Sequence, residues 1–279
     1  MYTLLPPHPA LAPYLESYWA LRLAAPPNQV LRERIFVDVR ADLLFNFGAP
    51  YLRRRPDGQA ERLPSSNLDA PRDQPVTVEQ VGQIYLVGVR FRPAGLAAIL
   101  PMPVDSLLNH TLPPPDVLGT DARTLEARLY EADGLSAQKP LLDAYFLRRL
   151  APSEAVRQVG GWLRLLEQPN APSIGQLARL TGYSARTLDR RFRSVVGVPP
   201  KQYARIARFQ RALGLLARPV PLTELALAAG FYDQSHLTRE FRALAGQSPE
   251  RARADLIGRM HDPAPNLVRF VQDADPSEA

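Results

Sequence analysis

Two groups of side chains in the second half of the chain have the types and spacing of a surface that grips a polyanion. Arg186, Asp189, Arg190 and Arg193 include pairs three and four residues apart, the intervals that bring side chains onto one face of a helix. Arg190 and Arg193 recur 49 residues later as Arg239 and Arg242, beside Gln234, Ser235 and His236. A guanidinium is a planar, permanently charged fork suited to phosphate and to base edges. Arginine supplies 32 of the 34 basic residues, Lys139 and Lys201 being the two lysines, but a GC-rich genome produces the same bias. Position is the better guide. Residues 1–153 carry 16 basic and 16 acidic groups, residues 154–257 carry 16 and 8, and residues 258–279 carry 2 and 4. The positive excess lies in one segment of 104 residues, the footprint of a polyanion-binding module.

The elements that must hold these side chains can be read from an internal repeat. Ile174, Leu177, Ala178, Gly182 and Tyr183 recur after 48 residues as Leu222, Leu225, Ala226, Gly230 and Phe231. Leu188, Phe192, Gly197 and Pro200 recur after 49 as Leu237, Phe241, Gly246 and Pro249. One residue has therefore been added within the second unit, at its turn, where insertion is tolerated best. Each unit has the grammar of a helix-turn-helix. Ser173 caps a short helix, Ala178 lets a second helix cross closely, Gly182 ends the first helix at positive φ, and Ser184 caps the second. In the second unit Thr223 or the residues around Pro221 start the helix, Ala226 is the crossing residue and Gly230 the stop. Leu188, Phe192 and Val195, and then Leu237, Phe241 and Leu244, face inward and leave the arginine-bearing faces outside. One such unit would fit an ordinary helical hairpin; two in tandem within a basic segment point to duplex DNA.

At these residues the chain resembles the AraC/XylS family of bacterial transcription regulators. The likeness covers roughly 154–257: a helix at 154–167, a long connecting helix at 201–217, and the run Ala228-Ala229-Gly230-Phe231, Ser235-His236-Leu237, Arg239-Glu240-Phe241-Arg242 and Gly246-x-x-Pro249. The resemblance implies that each second helix enters a major groove, in successive grooves on one face of the duplex. It places base-reading positions at Arg186, Asp189 and Arg190, and at Gln234, Ser235, His236 and Arg239, with Arg193 and Arg242 also at the DNA. Arginine pairs bidentately with guanine, glutamine with adenine, and a carboxylate accepts from cytosine N4. For Asp189 the alternative is an ion pair within the helix, to Arg186 or Arg193. Arg191, on the flank, reads as a packing or backbone residue.

The first half is expected to be β-rich at its start. Residues 34–47 and 76–92 read as strands, and 53–67 as turns and loops in which Arg53-Arg54-Arg55 beside Pro56-Asp57-Gly58 forms a solvated hairpin tip. Helical spacing follows at 94–100, 104–109, 122–132, 139–150 and 154–168. Tyr14, Tyr18 and Trp19 read as core aromatics packing a helix on a sheet, with a ligand cavity as the alternative. ADLLFNFGAP and VGVRFRPAGLAAILP resemble the sensory domain of some family members, whereas Phe36-Val37-Asp38-Val39-Arg40 departs from the proline–aspartate–glycine turn expected there.

Other chemistries find little support. The absence of cysteine excludes disulfides, thiolate metal sites and a cysteine nucleophile, and with it a DNA-repair alkyl-transfer enzyme bearing the same DNA-binding module. His8, His110, His236 and His261 lack metal-ligand spacing, so no metal, cofactor or catalytic residue is assigned. The start has no signal-peptide pattern and no stretch is apolar enough to cross a membrane, from which a cytoplasmic location is expected. The expected architecture is an α+β sensory or dimerisation domain over 1–150, small and barrel-like before its helices, and an all-α domain with two helix-turn-helix units over 154–257. A loosely ordered acidic tail at 258–279 follows. The expected partners are double-stranded DNA, a small-molecule effector, a second copy of the chain and RNA polymerase. Ala151-Pro152 is too short a break to leave the halves independent, and segments 122–132 and 139–150 are the expected route between them.

Overall fold

The computed structural model describes residues 2–24, 30–54, 58–63, 65–168 and 171–259. Strands come first: β1 (Tyr2–Leu5), β2 (Leu15–Ala24), β3 (Val30–Ile35), β4 (Asp42–Asn46), β5 (Tyr51–Arg54), β6 (Ala60–Arg62), β7 (Asn67–Asp69), β8 (Val76–Val81), β9 (Gln83–Phe91) and β10 (Thr111–Leu112). They form one sheet in the order β1-β2-β9-β4-β7-β10 and a second in the order β3-β8-β5-β6, with antiparallel neighbours throughout. Because side chains alternate along a strand, the larger sheet has two different faces. Tyr18, Leu43, Phe45, Val87, Val89 and Phe91 share a core with Leu125, Leu129, Leu142 and Phe146. Those last four lie on α2 (Asp121–Glu131) and α3 (Gly134–Arg149), which follow α1 (Pro114–Leu118). Phe91 meets Phe146 edge to face at 5.8 Å, a contact worth about 0.5–1.5 kcal/mol beyond the area it buries. On the opposite face Trp19, Leu21, Ile84 and Leu86 form a smaller cluster. Trp19 lies opposite Gly88, where a Cβ would fall 2.1 Å from the indole, so only glycine admits the ring.

The front half follows the sequence reading in class and departs from it in several elements. Residues 34–47 are not one strand, for the chain leaves the second sheet after Ile35 and enters the first at Asp42. Residues 76–92 are two strands in different sheets, β8 and β9, parted at Gly82 with φ +79°. Segment 53–67 takes in the end of β5 and all of β6, and Arg53 is buried against Asp69 at 2.7 Å instead of solvated; Arg55–Asp57 of the expected tip fall outside the described residues. Segments 94–100 and 104–109 shrink to single 3-10 turns, Leu96–Ala98 and Val104–Leu107. Pro101 and Pro103, next to them, cannot donate a helical hydrogen bond. Tyr18 and Trp19 sit on a strand, so they point to opposite faces, Tyr18 to the helix-covered core and Trp19 to the space between the sheets.

Charged side chains are buried at one end of that intersheet space. Asp69 receives Arg53 and Arg72, and Thr111 Oγ1 at 2.9 Å. Burial alone would raise the Asp69 pKa, but Arg72 and Arg53 outweigh it and hold the carboxyl below its usual range. For Asp42 burial prevails over Arg90, at 3.2 Å, and its pKa is raised.

The helical half comprises α4 (Glu154–Leu166), α5 (Ile174–Thr181), α6 (Ala185–Val196), α7 (Pro200–Leu215), α8 (Leu222–Ala228), α9 (Gln234–Ala245) and α10 (Pro249–Arg259). The helix α10 runs into the segment expected as a tail, and residues 260–279 lie outside the described ones. Leu188, Phe192, Val195, Phe209, Leu237 and Phe241 belong to one core, and Phe36, Val37, Val39, Ala94 and Ala98 of the front half belong to it too. No helix among the described residues is long and apolar enough to cross a membrane.

Asp69→Ala is expected to cost about 3–5 kcal/mol in denaturant unfolding, because it strands two buried guanidinium groups. Asp42→Asn should cost less, since Arg90 keeps Asp38 at 2.7 Å. The Asp69 contribution should be complete above its unfolded pKa of about 3.9 and be lost as pH falls through the lower folded value. Asp42 has the opposite sign: its ionisation opposes folding as pH rises through its raised folded pKa, and unfolding curves of the Asn variant across pH should lack that term.

Candidate nucleic-acid interface

Each unit of the repeat is a helix pair closed by local capping. Ser173 and Gln176 form a reciprocal capping box at the start of α5, and Gly182 ends it in the left-handed region at φ +71°. Ser184 then accepts from the Thr187 amide to start α6. In the second unit α8 begins at Pro221 without a side-chain cap, and Gly230 follows its end at φ +86°. The cap of α9 is Asp233, which accepts from the His236 amide at 2.7 Å. Sequence reasoning missed Asp233, although it stands 49 residues after Ser184 and the register shift pointed to it. The added residue of the second unit thus falls in the turn, between Gly230 and Asp233.

The two expected sets sit on the outward faces of α6 and α9. Arg186, Arg190 and Arg193 are exposed along α6, and Ser235, Arg239 and Arg242 along α9. Asp189 is half-buried and pairs with Arg193 at 2.8 Å, so in the free protein the alternative of an intrahelical ion pair holds. Gln234 is half-buried at the start of α9. His236 is also half-buried: its Nδ1 accepts from the Tyr232 amide at 3.4 Å and its ring meets Phe231 edge-on at 5.4 Å. That bond leaves Nε2 as the ring nitrogen able to face a ligand. Tyr232, 86% exposed beside α9, carries no sequence signal that singled it out.

Much of the basic excess is used inside the fold. Arg191 lies 4.5 Å over the Tyr183 ring, as its flank position suggested. Arg205 pairs with Glu240, joining α7 to α9. Arg211 donates to the Ala229 carbonyl at 3.0 Å and the Glu167 carbonyl at 2.8 Å, tying α7 to the ends of α8 and α4. Arg253 donates to the Leu216 carbonyl at 3.1 Å. The charges left facing outward on α6 and α9 are therefore concentrated at the sites chosen from spacing.

The front half holds these helices from behind. The C-terminal end of α6 abuts the turn at Val104–Leu107: a Cβ on Gly197 would lie 3.3 Å from Val104 Cγ1. At the C-terminal end of α9, a Cβ on Gly246 would lie 2.5 Å from Arg34 Nη2, so a guanidinium sits where the helix dipole is negative. Between them Phe36 packs edge-on to Phe209 at 6.0 Å, Gln210 of α7 donates to the Val37 carbonyl, and Gln202 donates to Asp73 at 2.9 Å. Ala151 of the short connection donates to the Ala98 carbonyl at 2.9 Å. These contacts join the halves, together with Leu150 at the end of the expected segment 139–150, which packs on both cores, while the buried faces of α2 and α3 cover the larger sheet.

Comparison with known proteins agrees with this geometry. Residues 177–255 match the model of a helix-turn-helix domain, and residues 3–113 match a domain of unknown function (DUF6597). The chain is 39% identical over 83 residues to the F1 operon positive regulatory protein of Yersinia pestis, covering 29% of this chain and 27% of that one. It is 34% identical over 86 residues to the HTH-type transcriptional regulator RipA of Corynebacterium glutamicum, 31% of this chain and 26% of that one. Among solved structures, the DNA-binding domain of AdpA, a global transcriptional factor in complex with a target DNA, is 33% identical over 40% of this chain and 97% of its own, with a TM-score of 0.33. The chain spans less than half the length of the curated relatives it matches. Two tandem units of this build, with the matched model and the named regulators, identify residues 177–255 as an AraC-type helix-turn-helix domain.

Proposed function

We propose that the chain is a sequence-specific, DNA-binding transcription regulator that is not an enzyme, in which α6 and α9 read two successive major grooves and the front half modulates the reading. The observation that carries this is the pair of capped helices whose arginine faces are exposed while their C-terminal ends are held from behind. Residues 154–257 are the reader and residues 1–150 the modulating, sensory or dimerising part. Arg186, Arg190, Gln234, Ser235, His236 and Arg239 contact base edges, and Arg193 and Arg242 stand by the backbone. Asp189 contacts a base only if DNA displaces it from Arg193, since one carboxylate cannot serve both fully. Double-stranded DNA is the principal partner, and a small-molecule effector, a second copy and RNA polymerase complete the set, in the cytoplasm. Because the front half leaves both reading faces open, its control acts through the relative placement of α6 and α9 and not by covering them.

Selection of bound sequences from a random duplex pool, with the full chain, tests this reading. A defined bipartite site with half-sites about one helical turn apart is expected. Affinity should fall with salt at a log–log slope of about −0.9 per neutralised phosphate. Arg190→Ala should cost about 1–3 kcal/mol on the selected site and flatten preference in one half-site, and Arg239→Ala should do so in the other. Equal weakening on all sequences would make that arginine a phosphate clamp, and failure to enrich any site would reject specific reading.

A further inference from the structure

Between the two sheets lies a cavity of about 110 Å³, of the same order as the roughly 150 Å³ apolar cavity that takes up benzene. One end is apolar: Trp19, Leu44 and Leu86 come from the larger sheet, Ile35 and Val78 from the smaller. The other end is ionic. Arg40 and Arg90 reach Asp38 at 3.0 and 2.7 Å, while Arg53 and Arg72 converge on Asp69. With Asp42 and Glu33 the carboxylates also number four, so the lining carries no net charge. Four buried polar atoms of this lining have no hydrogen-bond partner: the donors Trp19 Nε1, Arg53 Nε and Arg90 Nε, the last facing Glu16 only as an ion pair at 3.9 Å, and the acceptor Asp42 Oδ1. Trp19, Arg53 and Arg90 are each exposed by 4% or less, so bulk water does not serve them. Leaving such groups unpaired is costly, and buried polar atoms of this kind call for a partner.

We propose that this cavity binds a small uncharged organic molecule with a flat or compact apolar body and one head that both accepts and donates hydrogen bonds, of the carboxamide or hydroxy-carbonyl class. The inference rests on reading the front half as the modulator of the DNA-binding half. An anion would meet arginines already held by carboxylates and would face the carboxylates as well; a cation would face the guanidinium groups. Burying either charge without a counter-charge is strongly unfavourable. A neutral head instead gives its oxygen to the Nε–H and indole N–H donors and its own hydrogen to Asp42 Oδ1. The body then rests on Trp19, Leu44 and Leu86. The cavity wall is also the seat of the reader. Phe36 lines the cavity and packs on Phe209, and Asp38 lines it while its backbone pairs with Arg72 and its neighbour Val37 accepts from Gln210. A head group that draws Arg90 away from Asp38 therefore acts on the segment that holds α7.

The test uses three molecules of nearly the same shape, benzamide, benzoate and benzamidine, with charges of zero, minus one and plus one. In full-length Trp162→Phe, Trp19 is the single remaining tryptophan and reports occupancy by its fluorescence, without DNA. Benzamide should give a saturable change, and benzoate and benzamidine should bind at least tenfold more weakly. Leu44→Phe, which fills the apolar end and removes no charge, should abolish the benzamide response; Val78→Leu is the milder filling should that variant not fold, and should weaken it. Equal or tighter binding of either ion, no response to benzamide, or a response untouched by the filling variants would overturn the proposal. Loss of the Trp19 response with selective DNA binding intact rejects this inference alone. A normal Trp19 response in a chain that enriches no duplex rejects the proposed function and leaves the site standing.

Discussion

The segment from Phe36 to Ala41 must satisfy three surroundings at once, and the arrangement of both halves depends on its doing so. It carries the chain from one sheet to the other, it closes the ionic end of the intersheet cavity, and it supplies Phe36, Val37 and Val39 to the core around α7. A regular strand could not do this, because strict alternation would turn half of these side chains toward solvent or into the wrong sheet. The backbone groups released by leaving the ladder are taken up elsewhere: Asp38 pairs with Arg72 in an isolated bridge, and the Val37 carbonyl accepts from Gln210. Asp38 itself is held ionised, its burial outweighed by Arg40 and Arg90. The ion pairs are thus less a source of net stability than a means of setting one conformation of the crossover, since a hydrophobic replacement could fold as well but would not fix the position of Phe36.

This seat has consequences for the helical half. The front half touches α6 and α9 at their C-terminal ends, at Gly197 and Gly246, and α7 between them through the shared core. A body gripping both helix pairs from behind fixes their separation and rotation, and two helices meet successive grooves only if both are right. Coupling of about 1–3 kcal/mol between the halves needs no occlusion in such a design; it needs two placements of the pairs with different contacts at the crossover. Among the described residues nothing of the front half covers the exposed arginines of α6 and α9.

The helical half was legible in the sequence because each signal there is local. Gly182 and Gly230 mark turns by their positive φ, Ser173 and Ser184 cap the next helices, and apolar positions at helical spacing mark the inner faces. The front half was legible in class but not in detail, because its elements are decided at a distance. Segment 94–100 has the spacing of a helix yet makes one 3-10 turn, being confined between the end of β9 and the prolines that follow. Arg53 looks like part of a solvated tip until β5 pairs with β8 and turns it inward onto Asp69, a residue 16 positions away. Trp19 and Tyr18 are adjacent aromatics with no pattern of their own, and pairing with β9 sends them to opposite faces.

The arginines give the clearest measure of what a charge count contains. The excess in residues 154–257 coincides with the helical half, but its members do different things, and sequence spacing separates them better than charge does. Arg191, Arg205, Arg211 and Arg253 lie on inward or flanking positions and bind a ring, a carboxylate or free carbonyls at helix ends. Such positions exploit the long stem and fixed fork of arginine as a structural strut. Arg186, Arg190, Arg239 and Arg242 lie on the outer stripe and have solvent before them. The two classes are related by the 3.6-residue period: a helix that buries Leu188 and Phe192, or Leu237 and Phe241, must point residues two positions away from them, Arg186, Arg190 and Arg239, outward. The apolar core thereby selects which charges remain available, and the same packing that makes the repeat a stable helix pair determines which face is left open to a polyanion.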